Sequence, residues 1–276
     1  MNQSYGKGLR RPGFLELWSW IHEHTGIAFA EGQLAGLARR IDQRMTSLGV
    51  EGYDEYLQLL QSCGPTGEFD SLVDGITTRD THFFREPGHL GRVVRILAQE
   101  TNAAAGPIRI WCAGCATGEE PYSLAMMVHS ELGPGGLDKL EIVATDISRA
   151  ALRAAQQAGY PVSAARFMSR DLHSAYFEPK GDLLQVTDFI RNLVAFRQLN
   201  LISDPWPSWC RDFRCILCKN VLIYFSQDVR RKLAARLVDA LAPGGTLLLG
   251  SHESLHDVAP NVQSCQVDDV LVYQRL

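Results

Sequence analysis

Long apolar runs are absent from this sequence of 276 residues, and no stretch approaches the ~20 apolar residues that a membrane-spanning helix needs. The polar segment Met1–Arg10 lacks the apolar core of a secretory signal peptide, so we expect no leader. The formal net charge of −4 provides no positive field for nucleic acid or for an anionic membrane. We therefore expect neither direct membrane insertion nor nucleic-acid binding.

The seven cysteines are odd in number, and several of them lie in apolar strand-like runs. This usage is typical of reduced thiols rather than of a disulfide framework, and it predicts a cytoplasmic protein. The pairs Cys112/Cys115 and Cys215/Cys218 have the spacing of zinc ligands. However, residues three apart on a strand point to opposite faces, and the pairs lie further apart than in zinc ribbons. We predict no metal site.

Residues 1–75 carry apolar side chains at helical spacing, with glycine-containing breaks between the stripes. The stripes are Phe14, Leu17, Trp18 and Ile21; Leu34, Leu37, Ile41 and Leu48; Tyr53, Tyr56, Leu57 and Leu60; and Phe69, Leu72, Val73 and Ile76. Residues 1–75 are therefore predicted to form an all-α domain.

Residues 76–276 change to short apolar strands that alternate with helices, the pattern of a mostly parallel α/β sheet covered on both faces. The predicted strands are Ile108–Cys112, Leu140–Thr145, Leu193–Phe196, Cys215–Cys218, Thr246–Gly250 and Val270–Tyr273, and the predicted helices include Tyr122–Leu132, Ala150–Ala158 and Asp228–Leu241. Between about residues 160 and 198 the alternation is interrupted by a polar, aromatic stretch with a turn at Lys180–Asp182. This stretch is predicted to be a small β-rich insertion.

The segment Ile108–Pro121 runs from a strand through a glycine-rich turn into a helix. Gly114 and Gly118 allow a sharp turn and close approach of a ligand to the backbone. The turn has neither the lysine of a Walker A loop nor a GxGxxG pattern, and Glu119 and Glu120 would repel a pyrophosphate. A cofactor with an amino group or a sulfonium, such as S-adenosyl-L-methionine (SAM), suits this turn better than a cofactor with a pyrophosphate. A plain strand-to-helix turn is the alternative.

Asp146 follows the predicted strand Leu140–Thr145. An acidic residue at the end of the second strand is placed to accept hydrogen bonds from the hydroxyls of a ribose. The alternative is that Asp146 caps the next helix, because Asp is a favoured N-cap residue.

Several segments in order along the chain resemble the CheR-type chemotaxis receptor methyltransferases. The matching segments are Thr77–Pro87, Ile110–Ser123, Ala144–Ile147, Phe196–Leu201, Cys218–Phe225 and Gly244–Leu255. The resemblance implies an all-α N-terminal domain, then a class I (Rossmann-like) SAM-dependent methyltransferase domain with an inserted β-subdomain. It implies methyl transfer to glutamate carboxylates on the cytoplasmic helices of chemoreceptors, which leaves S-adenosyl-L-homocysteine (AdoHcy) as the product.

The resemblance also implies which residues form the site. Cofactor contacts carry over to Thr81, Arg85, Glu120, Asp146, Asn200, Leu201, Asn220 and Val221, and the glycine-rich turn adds Ala113, Gly114 and Glu119. Arg85 and Tyr224 match an arginine and a tyrosine near the reacting sulfur. Three positions depart from the family pattern: Arg79 replaces Asn, Arg214 replaces Asp and Lys219 replaces Arg. We expect Arg79 to alter a cofactor contact and Arg214 to remove an ion-pair partner. Lys219 keeps the positive charge of arginine but lacks the guanidinium fork that binds a carboxylate through two hydrogen bonds.

Arg39, Arg40 and Arg44 form a local basic patch beside the Leu37/Ile41 stripe, on a chain of negative net charge. The patch complements an acidic receptor helix, and we predict that it docks the substrate protein; a solvated helix face is the alternative. Three alternatives for the whole chain are a methyltransferase acting on a small molecule, one acting on another protein, and a non-catalytic SAM-binding adaptor. The helical domain favours a macromolecular substrate, and retention of Arg85 and Tyr224 favours catalysis.

Overall fold

The computed structural model describes residues 12–63, 67–100, 106–138, 140–166, 168–255, 261–267 and 269–276. The chain divides into two compact units. One contains the residues up to Thr78 together with Tyr224–Val229, and the other contains Arg79–Ile223 and Arg230–Leu276. The partition expected from the sequence did not anticipate that Tyr224–Val229 belongs with the helical unit. Within the described ranges, no helix is long and apolar enough to cross a membrane.

The helical unit has four helices in its described part: α1 (Phe14–Thr25), α2 (Glu31–Leu48), α3 (Tyr53–Cys63) and α4 (Glu68–Ile76). Their apolar stripes meet in one core, as the helical spacing predicts. Gly26 and Gly49 end α1 and α2 in the left-handed conformation, with φ of 71° at each residue. Phe225 pairs with Ile27 in a short antiparallel bridge, which attaches the Tyr224–Val229 segment to this unit.

One member of the predicted stripe on α2 is wrong. Leu48 is 41% exposed, whereas Met45 is buried and completes the apolar face with Leu37 and Ile41. Leu48 is the last residue of the helix, and the chain turns away at Gly49 before the side chain reaches the core.

The second unit is an α/β sheet with helices. Its helices in the described part are α5 (Pro87–Glu100), α6 (Glu119–Leu132), α7 (Arg149–Gln157), α8 (Arg170–Tyr176), α9 (Asp188–Arg191) and α10 (Gln227–Asp239), of which the first residues, up to Val229, are counted with the helical unit. Its strands there are β1 (Ile108–Ala113), β2 (Leu140–Asp146), β3 (Gly159–Pro161), β4 (Phe177–Lys180), β5 (Leu183–Val186), β6 (Val194–Gln198), β7 (Phe213–Cys218), β8 (Leu241–Leu249), β9 (Val262–Val267) and β10 (Val270–Arg275). Each strand predicted from the sequence is present, with bounds that differ by a few residues.

Seven of the described strands form the main sheet in the order β6-β2-β1-β7-β8-β10-β9. The first five strands in that order are parallel, whereas β10 runs antiparallel to both β8 and β9. The parallel part has the nearly continuous apolar strands expected of a sheet covered on both faces. The carboxyl ends of β1, β2, β6 and β7 therefore lie side by side at one edge, which is where ligands bind in open α/β sheets.

The insertion contains a three-stranded antiparallel sheet of described residues in the order β3-β5-β4, which spans residues 159–186. The β4–β5 hairpin turns at Gly181, which has a φ of 62°, as the turn signal predicts. The predicted upper bound near residue 198 is wrong. Residues 194–198 form β6, which pairs with β2 in the main sheet and buries Val194 there.

Candidate functional site

The glycine-rich turn leaves β1 at Ala113 and is held against the neighbouring strand. The N–H groups of Gly114 and Cys115 donate to the Thr145 carbonyl oxygen over 2.8 and 2.9 Å. Gly114 has a φ of 81°, and a Cβ atom there would overlap the Cγ2 of Val221. Glycine is therefore required both by the backbone conformation and by the close approach of the loop after β7.

Asp146 ends β2 and fastens the glycine-rich turn from the other side. Its Oδ2 accepts from the Ala116 N–H over 2.9 Å, and its Oδ1 accepts from the Ser148 N–H over 2.8 Å. Burial raises the pKa of Asp146, although these N–H groups and the charge of Arg79 oppose the shift. The alternative that Asp146 caps α7 is wrong, because Ser148 is the N-cap and accepts from the Ala151 N–H. The carboxylate keeps lone pairs for ligand hydroxyls.

Two carboxylates begin α6, directly after the turn. Glu119 is buried and accepts from the Thr117 hydroxyl over 2.7 Å, and burial raises the pKa of its carboxyl. The Glu120 Oε2 lies 3.2 Å from the Nζ of Lys219 at the end of β7. Lys219 is itself buried and lies 3.4 Å from the Glu86 Oε2. A buried lysine ammonium therefore joins α6 to the loop that precedes α5.

The Thr81–Glu86 loop is held in an uncommon conformation. Phe84 and Glu86 have φ of 56° and 51°, and the Phe84 N–H donates to the hydroxyl of buried Ser123 on α6 over 2.9 Å. Lys219 fixes the same loop, because its Nζ donates to the Arg85 carbonyl oxygen over 2.9 Å. Positive φ at non-glycine residues is unfavourable and persists only where surrounding contacts enforce it.

Arg85 is half-buried, and its Nη1 donates to the Asp80 carbonyl oxygen over 2.9 Å. Arg85 and Glu86 are neighbours in the chain, but no ion pair joins them among the described residues. Glu86 instead accepts from the backbone N–H and the hydroxyl of Ser251 over 2.8 and 2.5 Å. Burial alone would raise the pKa of Glu86, but the Ser251 hydrogen bonds and the Lys219 charge bring it below its ordinary value. Most donors of the Arg85 guanidinium remain available to a ligand.

The loops after β6 and β7 carry the remaining predicted contacts. The Leu199 N–H donates to the Asp146 carbonyl oxygen over 3.0 Å, so the Asn200–Leu201 segment begins beside the end of β2. Asn220 has a φ of 58°, and its buried Oδ1 has no hydrogen-bond partner among the residues that the structure describes. A buried acceptor without a donor is costly, so this atom is suited to an N–H or O–H group of a ligand.

Direct contacts therefore connect many of the predicted cofactor-binding residues at one edge of the sheet. Contacts join Arg85 to Glu120 through Lys219, Gly114 to Val221, and Asp146 to the glycine-rich turn. The other predicted residues lie on the same segments of the chain: half-buried Thr81, Ala113, buried Glu119, Asn200, buried Leu201 and Asn220. Tyr224 belongs to the helical unit, where its carbonyl oxygen accepts from the Ala28 N–H over 2.7 Å. That Tyr224 and Arg85 both lie near the reacting sulfur stays a prediction.

The predicted docking arginines on α2 differ in their surroundings. Arg44 forms a bidentate pair with Glu68, with Nε–Oε1 and Nη2–Oε2 distances of 2.7 and 2.5 Å. Exposed Arg40 donates to the Ile76 carbonyl oxygen over 3.1 Å, whereas the exposed Arg39 has no hydrogen bond or ion pair within the described ranges. Arg44 thus has a role inside the helical unit that the sequence did not reveal.

The prediction that Arg214 removes an ion-pair partner stays a prediction, but Arg214 forms an ion pair of its own. Its Nε lies 2.5 Å from the Glu100 Oε1, and its Nη1 donates to the Gly244 carbonyl oxygen. As expected, Lys219 lacks the guanidinium fork of an arginine. Its ammonium group has three N–H donors, which suit the three oxygens around it: those of the Glu86 and Glu120 carboxylates and the Arg85 carbonyl. Burial raises the pKa of Asp146, and the charge of the exposed Arg79 opposes part of that rise.

The cysteines of the two CxxC pairs lie in buried positions. The prediction that Cys215–Cys218 is a buried strand is confirmed, since both residues lie in β7 with no exposed surface. Burial raises the pKa of the thiols of Cys112, Cys115, Cys215 and Cys218. Across the part of the chain that the structure describes, no group of three or more His, Cys, Asp or Glu is arranged to hold a metal ion.

Three residues with structural influence on the site were missed by sequence reasoning: Glu86, Ser123 and Glu253. Glu86 and Glu253 lie inside segments that carry the family resemblance, but no spacing pattern distinguishes them from surface carboxylates. Glu253 is buried and accepts hydrogen bonds from three backbone N–H groups.

Comparison with known proteins gives two family matches that together cover most of the chain. Residues 12–77 match the family described as "CheR methyltransferase, all-alpha domain", and residues 79–271 match "CheR methyltransferase, SAM binding domain". The predicted fold class and the predicted cofactor, S-adenosylmethionine, are confirmed.

Similar curated proteins share about a third of their residues with this chain. Chemotaxis protein methyltransferase 1 of Pseudomonas aeruginosa is 33% identical over 264 residues, which cover 92% of this chain and 94% of that protein. The chemotaxis protein methyltransferase of Escherichia coli is 32% identical over 251 residues, with 87% and 84% covered. That of Borreliella burgdorferi is 30% identical over 242 residues, with 85% of each covered.

Proposed function

Because the chain belongs to the CheR methyltransferase family, we propose that it transfers the methyl group of SAM to glutamate carboxylates of chemoreceptors, forming glutamate methyl esters. One observation carries the proposal furthest: Lys219 binds both the Arg85 carbonyl oxygen and Glu120, so the candidate reactive arginine and the cofactor turn are held as one site. A protein-glutamate O-methyltransferase needs this juxtaposition of a cofactor site and a group that binds an anion.

The residues at the sheet edge fit SAM in their chemistry. Asp146 offers acceptors for ribose hydroxyls, and Asn220 offers an unpaired buried acceptor for an N–H or O–H donor. Glu119 and Glu120 place negative charge beside the turn, which favours a ligand with an ammonium and a sulfonium. The residues proposed to hold it are Thr81, Arg85, Ala113, Gly114, Glu119, Glu120, Asp146, Asn200, Leu201, Asn220 and Val221.

When bound, SAM supplies a methyl group activated by a positively charged sulfur. The acceptor glutamate has an ordinary pKa of about 4.3, so it is ionised near pH 7 and no catalytic base is required. The protein's task is to place a carboxylate oxygen in line behind the methyl carbon, and such positioning is worth roughly 7–11 kcal/mol in favourable systems. Transfer neutralises an anion and a cation, so partial exclusion of water from the site favours the reaction.

Arg85 and Tyr224 are proposed as the residues that touch the reacting groups. The free donors of the Arg85 guanidinium orient either the acceptor carboxylate or the carboxyl of the cofactor. The Tyr224 hydroxyl orients the acceptor. Residues 1–75 are proposed to dock the receptor and residues 76–276 to perform the chemistry. The proposed partners are the cytoplasmic helices of chemoreceptors, which implies a cytoplasmic enzyme and agrees with relatives named as chemotaxis protein methyltransferases.

The test is transfer of a labelled methyl group from SAM to purified cytoplasmic receptor fragments. Glutamate methyl esters release the label as methanol in mild alkali, whereas methylated nitrogen or sulfur retains it. Arg85→Ala should lower the rate, and a receptor fragment with glutamine at its acceptor positions should take up no label. Alkali-stable label, or AdoHcy binding without transfer to any receptor fragment, would support an altered specificity or a non-catalytic adaptor instead.

A further inference from the structure

The turn that follows β8 contacts two loops of the proposed site. This turn, residues 250–253, leaves the main sheet next to the end of β7. Ser251 donates twice to Glu86, beside Arg85, and Glu253 bonds to the Asn220–Ile223 loop, which leads into Tyr224. At its far side, the Leu255 N–H donates to the Tyr273 hydroxyl on β10 over 2.9 Å.

Glu253 is the centre of these contacts. Its Oε2 accepts from the Asn220 N–H over 2.6 Å and from the Gly250 N–H over 2.8 Å, and its Oε1 accepts from the Ile223 N–H over 3.1 Å. Only 8% of the residue is exposed. Asn220 follows β7 by two residues and Gly250 directly follows β8, just beyond the point where the ladder between these strands stops at Cys218 and Leu249. Their N–H groups need another acceptor, and the carboxylate supplies one that is charged.

We propose that Glu253 is a positioning residue for cofactor binding, acting through the backbone of the Asn220–Ile223 loop. This proposal rests on the proposed function, because Asn220 and Val221 are its cofactor contacts. Asn220 is held in the left-handed region at a φ of 58°, a conformation that a free loop would rarely keep. The N–H groups at both ends of the loop donate to this one carboxylate, which fixes that conformation and aims the unpaired Asn220 Oδ1.

The local packing agrees with a dedicated role for this carboxylate. A Cβ atom at Gly250 would lie 2.8 Å from the Glu253 Oε2 and 3.0 Å from the Asn220 Nδ2, so glycine leaves the space that the carboxylate occupies. On the opposite side of the loop, Val221 Cγ2 fills the space beside Gly114. The loop is therefore confined between the glycine-rich turn and the Glu253 carboxylate, and a shift at one side must move Val221 against the other.

The test compares AdoHcy binding by the full chain and by the variants E253Q and E253D. Gln retains one acceptor oxygen but turns an N–H donor toward a backbone N–H, whereas Asp keeps the charge and loses one methylene of reach. We expect E253Q to raise the AdoHcy Kd about tenfold, which corresponds to about 1.4 kcal/mol. We expect E253D to give a smaller rise in the same direction.

Hydrogen exchange separates positioning from general destabilisation. In E253Q, amide exchange should accelerate in peptides that contain residues 220–223 and residue 250 and stay unchanged in α2 and α6. The matched control is E141Q, because Glu141 pairs with Arg109 at the amino ends of β1 and β2, away from the site edge. E141Q should bind AdoHcy as the unmodified chain does. If E253Q does not fold, AdoHcy binding and hydrogen exchange are both measured on E253D instead.

Two results would overturn the proposal. One is a folded E253Q with an AdoHcy Kd within about twofold of the unmodified chain. The other is exchange that rises uniformly, which would make Glu253 a general stabiliser. Failure of the proposed function has a different signature: the unmodified chain binds AdoHcy, E253Q weakens that binding, and no receptor fragment is methylated.

Discussion

Each unit of this molecule has a small cluster of buried charged groups, and the two clusters differ in charge balance. In the helical unit, Arg44 forms a bidentate pair with Glu68, which also accepts from the Tyr56 hydroxyl over 2.6 Å. We call this the helical cluster. One cation meets one carboxylate, so the two charges balance within the unit. Such a closed cluster fixes the packing of helices but has no unused charge to offer a ligand.

The second cluster, which we call the site cluster, joins Lys219 to Glu86 and Glu120. His89 lies 3.9 Å from Glu86, but burial and the Lys219 charge lower its pKa, so its ring is mainly neutral near pH 7. One cation thus faces two carboxylates, and the cluster is left with one negative charge. The two charges of the helical cluster balance, whereas the site cluster keeps an excess negative charge that we expect to favour a cationic ligand.

Lys219→Met should give the largest effect, because it leaves the two carboxylates of the site cluster without a cation. Removing one partner of a buried ion pair costs about 3–5 kcal/mol, and only 2% of the Lys219 side chain is exposed. We expect that loss in the unfolding free energy of the sheet unit, measured by denaturant titration, together with weaker AdoHcy binding. Lys219→Arg keeps the charge and is the control. Unchanged stability of Lys219→Met would contradict the site cluster.

Glu68→Ala should have the next largest effect, and on stability. We expect a loss of about 2–3 kcal/mol, below the value for a fully buried pair because 33% of the Arg44 side chain is exposed. Tyr56 also loses its acceptor, at a site where burial and the Glu68 hydrogen bond raise the pKa of the phenol. Thermal unfolding followed by circular dichroism measures the change. The exposed Glu31→Ala is the control, and equal melting of both variants would show that the helical cluster adds nothing.

Asp146→Ala tests the cofactor side of the comparison. Hydrogen bonds to a charged group are worth about 1.5–3 kcal/mol, so the AdoHcy Kd should rise about tenfold to a hundredfold. Part of that rise comes from the turn itself, since Asp146 holds the Ala116 N–H. Cys115→Ser and Cys218→Ser should change the Kd less. Stoichiometric zinc that is lost with these cysteines would reverse this ranking.

The pH dependence of AdoHcy binding should carry the signature of Asp146. Burial raises the pKa of this carboxyl, so it takes up a proton at a higher pH than an exposed Asp, whose pKa is about 3.9. Affinity is full above the raised pKa and is lost as the pH falls through it, because a protonated carboxyl loses acceptor sites. Calorimetry between neutral and mildly acidic pH measures this, with folding checked at each pH. Asp146→Asn should bind weakly at every pH, and an equal acid response in that variant would assign the titration elsewhere.

Sequence reasoning succeeded where the physical signal is local. Continuous apolar runs identified the parallel strands, and helical spacing identified the four N-terminal helices. Helix α5 was not named, although Leu90, Val93, Val94 and Leu97 carry a helical spacing. The edge strand β9 was missed for a different reason: most of its side chains are exposed or half-buried, so its sequence has no apolar run.

The charge clusters could not be predicted, because their partners are far apart in the chain. Lys219 binds a carbonyl oxygen 134 residues away, and Glu253 bonds to N–H groups 33 and 30 residues away. Arg44 shows the consequence most clearly, since it has the same sequence context as a solvated arginine and yet pairs with Glu68. Sequence spacing reports periodicity within an element, whereas these contacts depend on which loops the sheet order brings together.

Charge reversal on α2 should give the smallest effect and tests whether unbalanced charge also serves docking. Arg44→Glu would place a second carboxylate beside Glu68 and perturb the helical cluster. A change in activity of that variant could therefore come from stability rather than from docking. Arg39→Glu is the clean variant, because Arg39 is exposed and outside that cluster. We expect kcat/KM for a receptor fragment to fall about threefold at low salt, as is typical of an exposed charge at an interface.

The salt dependence shows whether a fall in kcat/KM comes from an electrostatic docking contact. An electrostatic contact with an acidic receptor helix weakens as ionic strength rises, so the difference between Arg39→Glu and the unmodified chain should shrink at moderate salt. The exposed Lys232→Glu on α10 makes the same charge change outside α2 and should leave kcat/KM unchanged. AdoHcy affinity should be equal in all three proteins. If Arg39→Glu methylates the receptor as fast as the unmodified chain at both salt concentrations, the basic patch is a solvated helix face, and recognition of the receptor lies elsewhere.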